Sequence, residues 1–321
     1  MSLEARSPTR FLVAGGAGFI GSHIVDRLLK EDMEVIVLDN LYTGTLENIS
    51  KHKSNRKFRF IRGDVRNGDL VKRAIKNVDV VFNEAAIVGI PRSIEDPVLA
   101  NDVNVGGTLT LLKASLEAGV KRYVQASSAS VYGNTNMLPI KETSGPNPIS
   151  PYAVAELAAE NYARVFYSAY GLETVCLRYF NVFGPRQDYS IYSGVIPIFL
   201  NQLLRGERPT IYGDGKQTRD FVYVEDVVEV NMLALTTQEA TGEVFNIATG
   251  LPSSICEVLK SLQEKTGTKN LKPLYKRTRS GDIRHSYASI EKAKKFLKYE
   301  PNHDLERGLT KLTDQLLAHA P

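Results

Sequence analysis

Five short apolar runs rich in β-branched residues recur through the first 128 residues: RFLVAGG, EVIVLDN, FRFIRGD, VDVVFNEAA and RYVQASS. They read as strands covered on both faces, because apolar residues stand next to one another within them. Between them, SHIVDRLLKED and GTLTLLKASLEAG carry helical spacing, the second stopped by Gly119. Strands alternating with helices predict an α/β fold built on a parallel, doubly wound sheet with right-handed crossovers. LETVCLRYFNVFGPRQ supplies one more strand. Beyond it the pattern loosens into loops, short helices and isolated strands such as PTIYGDG and EVFNIATG. The expected organisation is a first domain over residues 1–185 and a smaller mixed α/β lobe over residues 186–321, with no flexible linker between them.

The turn after the first strand, GGAGFIG, sets Gly15, Gly18 and Gly21 around Phe19 and Ile20, directly before a helix. Glycines there permit a tight turn and the close approach of a pyrophosphate, which rests on the helix N-terminus. Any tight strand-to-helix turn favours glycine, but a second signal accompanies this one. Asp39 ends EVIVLD about 20 residues on, where a ribose-binding carboxylate is expected, with Asn40 beside it. Its charge would accept hydrogen bonds from a 2′-hydroxyl and repel a 2′-phosphate. The predicted cofactor is NAD, not NADP.

Net charge is +4 with both signs interspersed, so no strong field for nucleic acid or a membrane surface is implied. The densest basic stretch, KHKSNRKFRFIR, reads as a solvated loop running into a strand. Two cysteines, Cys176 and Cys256, fit a reduced compartment as small core residues. MSLEARSPTR lacks the apolar segment of a signal peptide, and no run approaches the ~18 apolar residues of a membrane span. A cytoplasmic location is expected, with nucleic acid, membrane and metal excluded as partners.

With GGAGFIG, LDNLYTG, RGDV, NEAA, SSASVYG, SPYAVAE, RYFNVFGPRQ and TRDFVYVED in that order, the chain resembles the extended short-chain dehydrogenase/reductase family along nearly its whole length. More narrowly, it is similar to the nucleotide-sugar 4-epimerases. The resemblance implies that Asp64 and Val65 flank the adenine, that Ala85, Ala86 and Asn104 line the cofactor cleft, and that Phe180 packs near the nicotinamide. On the substrate side it implies that Asn181, Arg219 and Arg279 hold a nucleotide diphosphate and that Asp282 lies near the nucleoside ribose, with Arg186 and Tyr212 beside them. Guanidinium groups suit that task because they make forked, charge-assisted bonds to phosphate oxygens. The family also implies a homodimer formed by helices near residues 107–118 and 152–170.

The reaction implied is an internal redox cycle on a UDP-sugar, with Tyr152 as the base and Ser128 as the hydroxyl that steadies the substrate oxygen. Related dehydratases and decarboxylases carry acidic groups just after that serine. This chain has Ala129 and Ser130 there, neither able to act as acid or base at neutral pH, so 4-epimerisation remains. Ser286 falls where strict glucose/galactose epimerases carry a bulky tyrosine, and its small side chain would leave room for a 2-acetamido group. A serine that merely suits a turn is the competing reading.

One element is out of place. Tyr152 and Glu156 are four apart on a helix and share a face. In the family a lysine stands at the second position, holding the nicotinamide ribose and lowering the tyrosine pKa. Glu156 reverses that charge and is expected to raise the pKa, while still able to accept bonds from ribose hydroxyls. Three readings follow: an epimerase with reduced turnover, one that recruits another cation such as Lys141 or Arg186, or a non-catalytic binder of NAD and a nucleotide sugar.

Overall fold

The computed structural model describes residues 9–188, 194–278 and 283–318. Its first half runs β1 (Arg10–Ala14), α1 (Phe19–Lys30), β2 (Glu34–Asp39), β3 (Phe58–Arg62), α2 (Gly68–Ala74), β4 (Val80–Asn83), α3 (Ile90–Glu95), α4 (Pro97–Asn101), α5 (Thr108–Ala118), β5 (Arg122–Ser128), α6 (Pro151–Tyr170) and β6 (Thr174–Tyr179). Then follow β7 (Asn181–Phe183), α7 (Val195–Leu204), β8 (Thr210–Tyr212), β9 (Thr218–Tyr223), α8 (Val224–Thr236), β10 (Val244–Ile247), β11 (Pro252–Ser254), α9 (Ile255–Lys265), β12 (Leu274–Lys276), β13 (His285–Ser286), α10 (Glu291–Leu297) and α11 (Leu305–Ala318).

The main sheet has seven strands in the order β10-β6-β5-β4-β1-β2-β3, every pairing parallel. Both of its faces are covered: Val80 and Phe82 of β4 enter one apolar cluster, while Val81 between them enters the other. Burying each such side chain contributes roughly 1.5–3 kcal/mol, which is why adjacent positions in a central strand such as β4 are apolar. Strand order reverses between β1 and β4, and the crevice at that point is where open α/β sheets bind ligands.

Two expectations need correction. FRFIRGD forms β3 at the sheet's edge, where Arg59 and Arg62 are exposed and Phe58, Phe60 and Ile61 only half-buried; a single neighbouring strand cannot cover both sides. EVFNIATG does not belong to a separate lobe. Its Val244–Ile247 is fully buried and extends the main sheet beside β6, and α8 packs on α1. Residues 186–321 therefore share the first half's sheet as well as forming a second one. In that second sheet β9 is central, bonded to β11, β13 and β7, with β8 and β12 paired apart from it. α7, α9 and α11 pack around Phe183, Phe199, Phe221 and Tyr223 there.

α6 is firmly started and stopped. Ser150 Oγ accepts from the Ala153 N–H at 3.2 Å, Pro151 occupies the first turn, and Gly171 ends the helix at φ 76°. Such a cap is worth about 1 kcal/mol. The Tyr152 N–H, without a partner inside the helix, donates to buried Ser93 Oγ of α3 at 3.0 Å. Between α4 and α5 the backbone widens into a π-helical turn over Asp102–Gly107, a device that re-aims side chains. Among the described residues no helix is long and apolar enough to cross a membrane.

Candidate active site

A cavity of about 670 Å³ runs along the carboxyl ends of the strands, over the β1/β4 switch. Gly15, Gly18, Phe19, Ile20 and Gly21 line it. A Cβ on Gly15, at φ +76°, would sit 2.7 Å from the Glu84 carbonyl carbon, and one on Gly21 would sit 2.3 Å from Gly15 O. Only glycine lets the loop close on itself here. No side chain caps α1, so its first-turn N–H groups are left for an anionic ligand. Asp39 and Asn40 lie on the same wall. The Asp39 carboxylate accepts from the Ala17 N–H at 2.9 Å and the Leu41 N–H at 2.8 Å, tying together the loops on either side. Burial raises its pKa, and those two donors oppose the rise. This glycine loop, helix terminus and carboxylate suit the pyrophosphate and adenosine ribose of NAD.

Val65, Ala85, Ala86 and Phe180 also line the cavity, but two expected neighbours do not. Asp64 forms a forked pair with Arg66 at 2.9 and 2.8 Å and accepts from Asn40 Nδ2 at 3.0 Å, which lowers its pKa to about 2. Its carboxylate is therefore spent on orienting Asn40. Asn104 stands behind the wall, because the π turn directs it into the protein. Its Oδ1 accepts from the Ile87 N–H at 2.7 Å and its Nδ2 donates to Glu156 Oε1 at 2.8 Å.

Ser128, Tyr152 and Glu156 come together at the other end of the cavity. Glu156 is 5% exposed. Burial pushes its pKa up to about 8, opposed by the Asn104 hydrogen bond and reinforced by Glu160. Glu84, at the end of β4, also lines the wall and was not singled out from the sequence. It accepts from Tyr179 Oη at 2.9 Å, and burial together with Glu156 raises it to about 8 as well. The NEAA motif at the carboxyl end of a parallel strand was the available signal. Tyr152 is pushed well above the ordinary tyrosine range, first by burial and then by the Glu156 charge; Ser128 opposes this and Glu84 adds to it.

One turn beyond Glu156, Glu160 is paired with Arg178 at 2.5 and 2.8 Å and accepts from Ser127 Oγ at 2.8 Å. Arg178 also donates to Tyr132 Oη at 2.7 Å, and Tyr132 donates to Asn246 Oδ1 at 2.6 Å.

The cations considered as replacements for a lysine are placed otherwise. Arg186 lines the cavity but donates to Ser22 Oγ at 3.0 Å and Asp26 Oδ2 at 2.5 Å, bracing α1. Lys141 lines a separate depression with Arg164 and Lys292. Asn181, Tyr212, Arg219 and Ser286 lie beyond the cavity wall, on the second sheet and the β8/β12 pair. Asn181 Nδ2 donates to Asp220 O at 3.3 Å, and Ser286 is in register with Arg219. Arg279 and Asp282 fall outside the described residues.

Comparison with known proteins agrees with this geometry. A model described as the NAD dependent epimerase/dehydratase family matches residues 11–248. A putative UDP-glucose 4-epimerase of Methanocaldococcus jannaschii is 40% identical over 94% of this chain and 97% of its own. The structure of a UDP-glucose 4-epimerase from Thermotoga maritima with UDP-glucose superposes with a TM-score of 0.91 at 40% identity, covering 97% of this chain and 99% of that one. A UDP-N-acetylglucosamine 4-epimerase from Methanobrevibacter ruminantium, in complex with UDP-N-acetylmuramic acid, gives 0.92 at 35% identity, covering 98% and 100%.

Proposed function

The chain belongs to the NAD dependent epimerase/dehydratase family, and on that premise we propose that it interconverts the C4 epimers of a UDP-hexose through a transient 4-keto sugar. The observation that carries this reading is Ser128 and Tyr152 together on one wall of the cavity, followed by Ala129 and Ser130 where a dehydratase would carry its acidic pair.

NAD is the cofactor. Asp39 and Asn40 would meet its adenosine ribose, Val65 its adenine, and the Gly15–Gly21 turn its pyrophosphate. Ala85, Ala86, Phe180 and Glu156 would surround the nicotinamide half. When bound, it supplies a hydride acceptor and donor. Ser128 orients the sugar's 4-hydroxyl, and Tyr152 takes the proton from it. Residues 186–321 would carry most of the nucleotide contacts, through Arg186, Tyr212, Arg219, Arg279 and Asp282, with Asn181 at the junction. Ser286 would leave space for an N-acetyl group, so that UDP-GlcNAc and UDP-GalNAc are accepted alongside UDP-glucose and UDP-galactose. A homodimer through α5 and α6 is supported by the exposure of Val154, Tyr162 and Val165 along α6. A cytoplasmic location completes the proposal.

The two carboxyl groups beside Tyr152 favour one second reading, a protein that binds both ligands without turnover. Incubating the purified protein with NAD and each UDP-sugar, and separating the epimers, decides between them. Formation of the C4 epimer supports the enzyme; tight binding of NAD and sugar without it supports the binder.

A further inference from the structure

We propose that Glu156 is the proton acceptor behind Tyr152: as a sugar hydroxyl gives its proton to Tyr152 Oη, the tyrosine's own proton passes to Glu156, and the reverse transfer returns it. The inference rests on the epimerase reading above.

The placement is specific. Glu156 stands one helical turn from Tyr152 on the same face, and both line the cavity. Its Oε1 is held by Asn104, itself fixed to the Ile87 backbone, so the carboxyl group is oriented before any ligand arrives. The charged groups around it come from every element packed there. Glu84 faces it from the end of β4. Glu160 stands on the next turn of α6, its charge matched by Arg178 of β6. Arg92 of α3 lies on the cavity wall, and Asp102, beside Asn104's turn, is exposed.

In this setting a free phenolate would place another negative charge beside two carboxyl groups, which like-charge repulsion disfavours. Transfer through a neutral tyrosine avoids that. The sugar O–H bond breaks as a new tyrosine O–H forms; the original tyrosine O–H breaks as the carboxyl O–H of Glu156 forms. Bound NAD would supply the acceptor for the hydride that leaves the sugar carbon, so the charge lost at the Glu156 carboxylate would be matched by the positive charge lost from the cofactor. A carboxyl group raised to about 8 is also a base matched to neutral or mildly alkaline conditions.

The test compares the NAD-loaded wild type with Glu156→Gln and Glu156→Asp, after calorimetry has established that each folded variant binds UDP-glucose. The expected result is a wild-type rate rising with pH through about 8, a loss of at least about a hundredfold in Glu156→Gln, and measurable turnover with the same rising limb in Glu156→Asp. Infrared titration gives a readout independent of turnover: Glu84 and Glu156 both contribute protonated-carboxyl absorbance lost near pH 8 in the wild type, and the Glu156 share is missing from Glu156→Gln. Three results would overturn the assignment. These are a Glu156→Gln variant as fast as the wild type, a tyrosinate absorbance rising with the same midpoint as the rate, and a carboxyl absorbance removed in full by Glu84→Gln instead. A wild type that binds a UDP-hexose but never forms its C4 epimer sinks the epimerase reading, and the assignment with it. Wild-type turnover that Glu156→Gln retains in full sinks the assignment alone.

Discussion

Glu156 and Glu160 stand one turn apart on α6, both buried, in opposite surroundings. Glu160 meets a forked guanidinium and a serine hydroxyl, and the chain of bonds runs on through Tyr132 to Asn246 of β10. Its charge is matched, and the group ties α6 to three strands. Glu156 meets one amide, a second carboxyl group and the cavity. A buried charge with a full set of partners acts as a joint. One left without a counter-charge has a displaced pKa, which is where proton chemistry is found.

The contrast breaks most easily at Arg178. Arg178→Met would leave the Glu160 charge buried without its partner, and about 3–5 kcal/mol of stability should be lost in urea unfolding. Replacing Glu160 by Leu in the same protein should recover much of that loss. A loss below ~1 kcal/mol from the single change would mean the pair is not the joint described.

The pH dependence of stability sharpens the other side. Glu156 is raised from 4.5 to about 8 in the folded protein, so the native state holds its proton more tightly than the unfolded chain. Stability from this group is complete below about pH 4.5 and is lost as pH rises toward 8. At about 1.4 kcal/mol per pKa unit, the change amounts to at most a few kcal/mol. Glu156→Gln should therefore raise Tm above pH 8 and leave it nearly unchanged near pH 5. An equal shift at both pH values would show that Glu156 carries its charge throughout.

A smaller effect is expected from Glu156→Lys, which makes the two turns of α6 differ in sign. An ammonium beside Tyr152 should lower the tyrosine pKa and let the phenolate act as base. Turnover should rise at least about tenfold at pH 7, with the rate–pH profile moving to lower pH. The gain stays below the gain in ionised tyrosine because a weaker base abstracts less readily. Stopped-flow or coupled-assay rates across pH 6–9 would check it; an unchanged profile would mean that residue 156 does not control the tyrosine.

Much of this was legible in the residues. The apolar runs became strands of one sheet, all but the edge strand β3 covered on both faces, and GGAGFIG and Asp39 landed on the cavity because backbone geometry dictates them. SSASVYG and SPY brought Ser128 and Tyr152 together for the same reason. What escaped was non-local. Val244–Ile247 looks like any isolated strand, and only pairing with β6 tells which sheet owns it. Whether Asn104 lines the cleft or backs it depends on a π turn that hydrophobic periodicity does not encode. Glu84 matters because Glu156 is near it, and no spacing within a sequence expresses that.

The place of β10 has a consequence for synthesis. β6 is buried at every position, yet its outer edge stays open until residues 244–247, separated from its end by 64 residues, have left the ribosome. Until then an apolar strand with unpaired N–H and C=O groups is available to any other chain. A fragment ending near residue 185 would keep that edge permanently and should aggregate, so the cofactor half cannot be produced by simple truncation. The nascent protein reaches a closed sheet late, and nascent chains are most exposed to mutual capture in that interval.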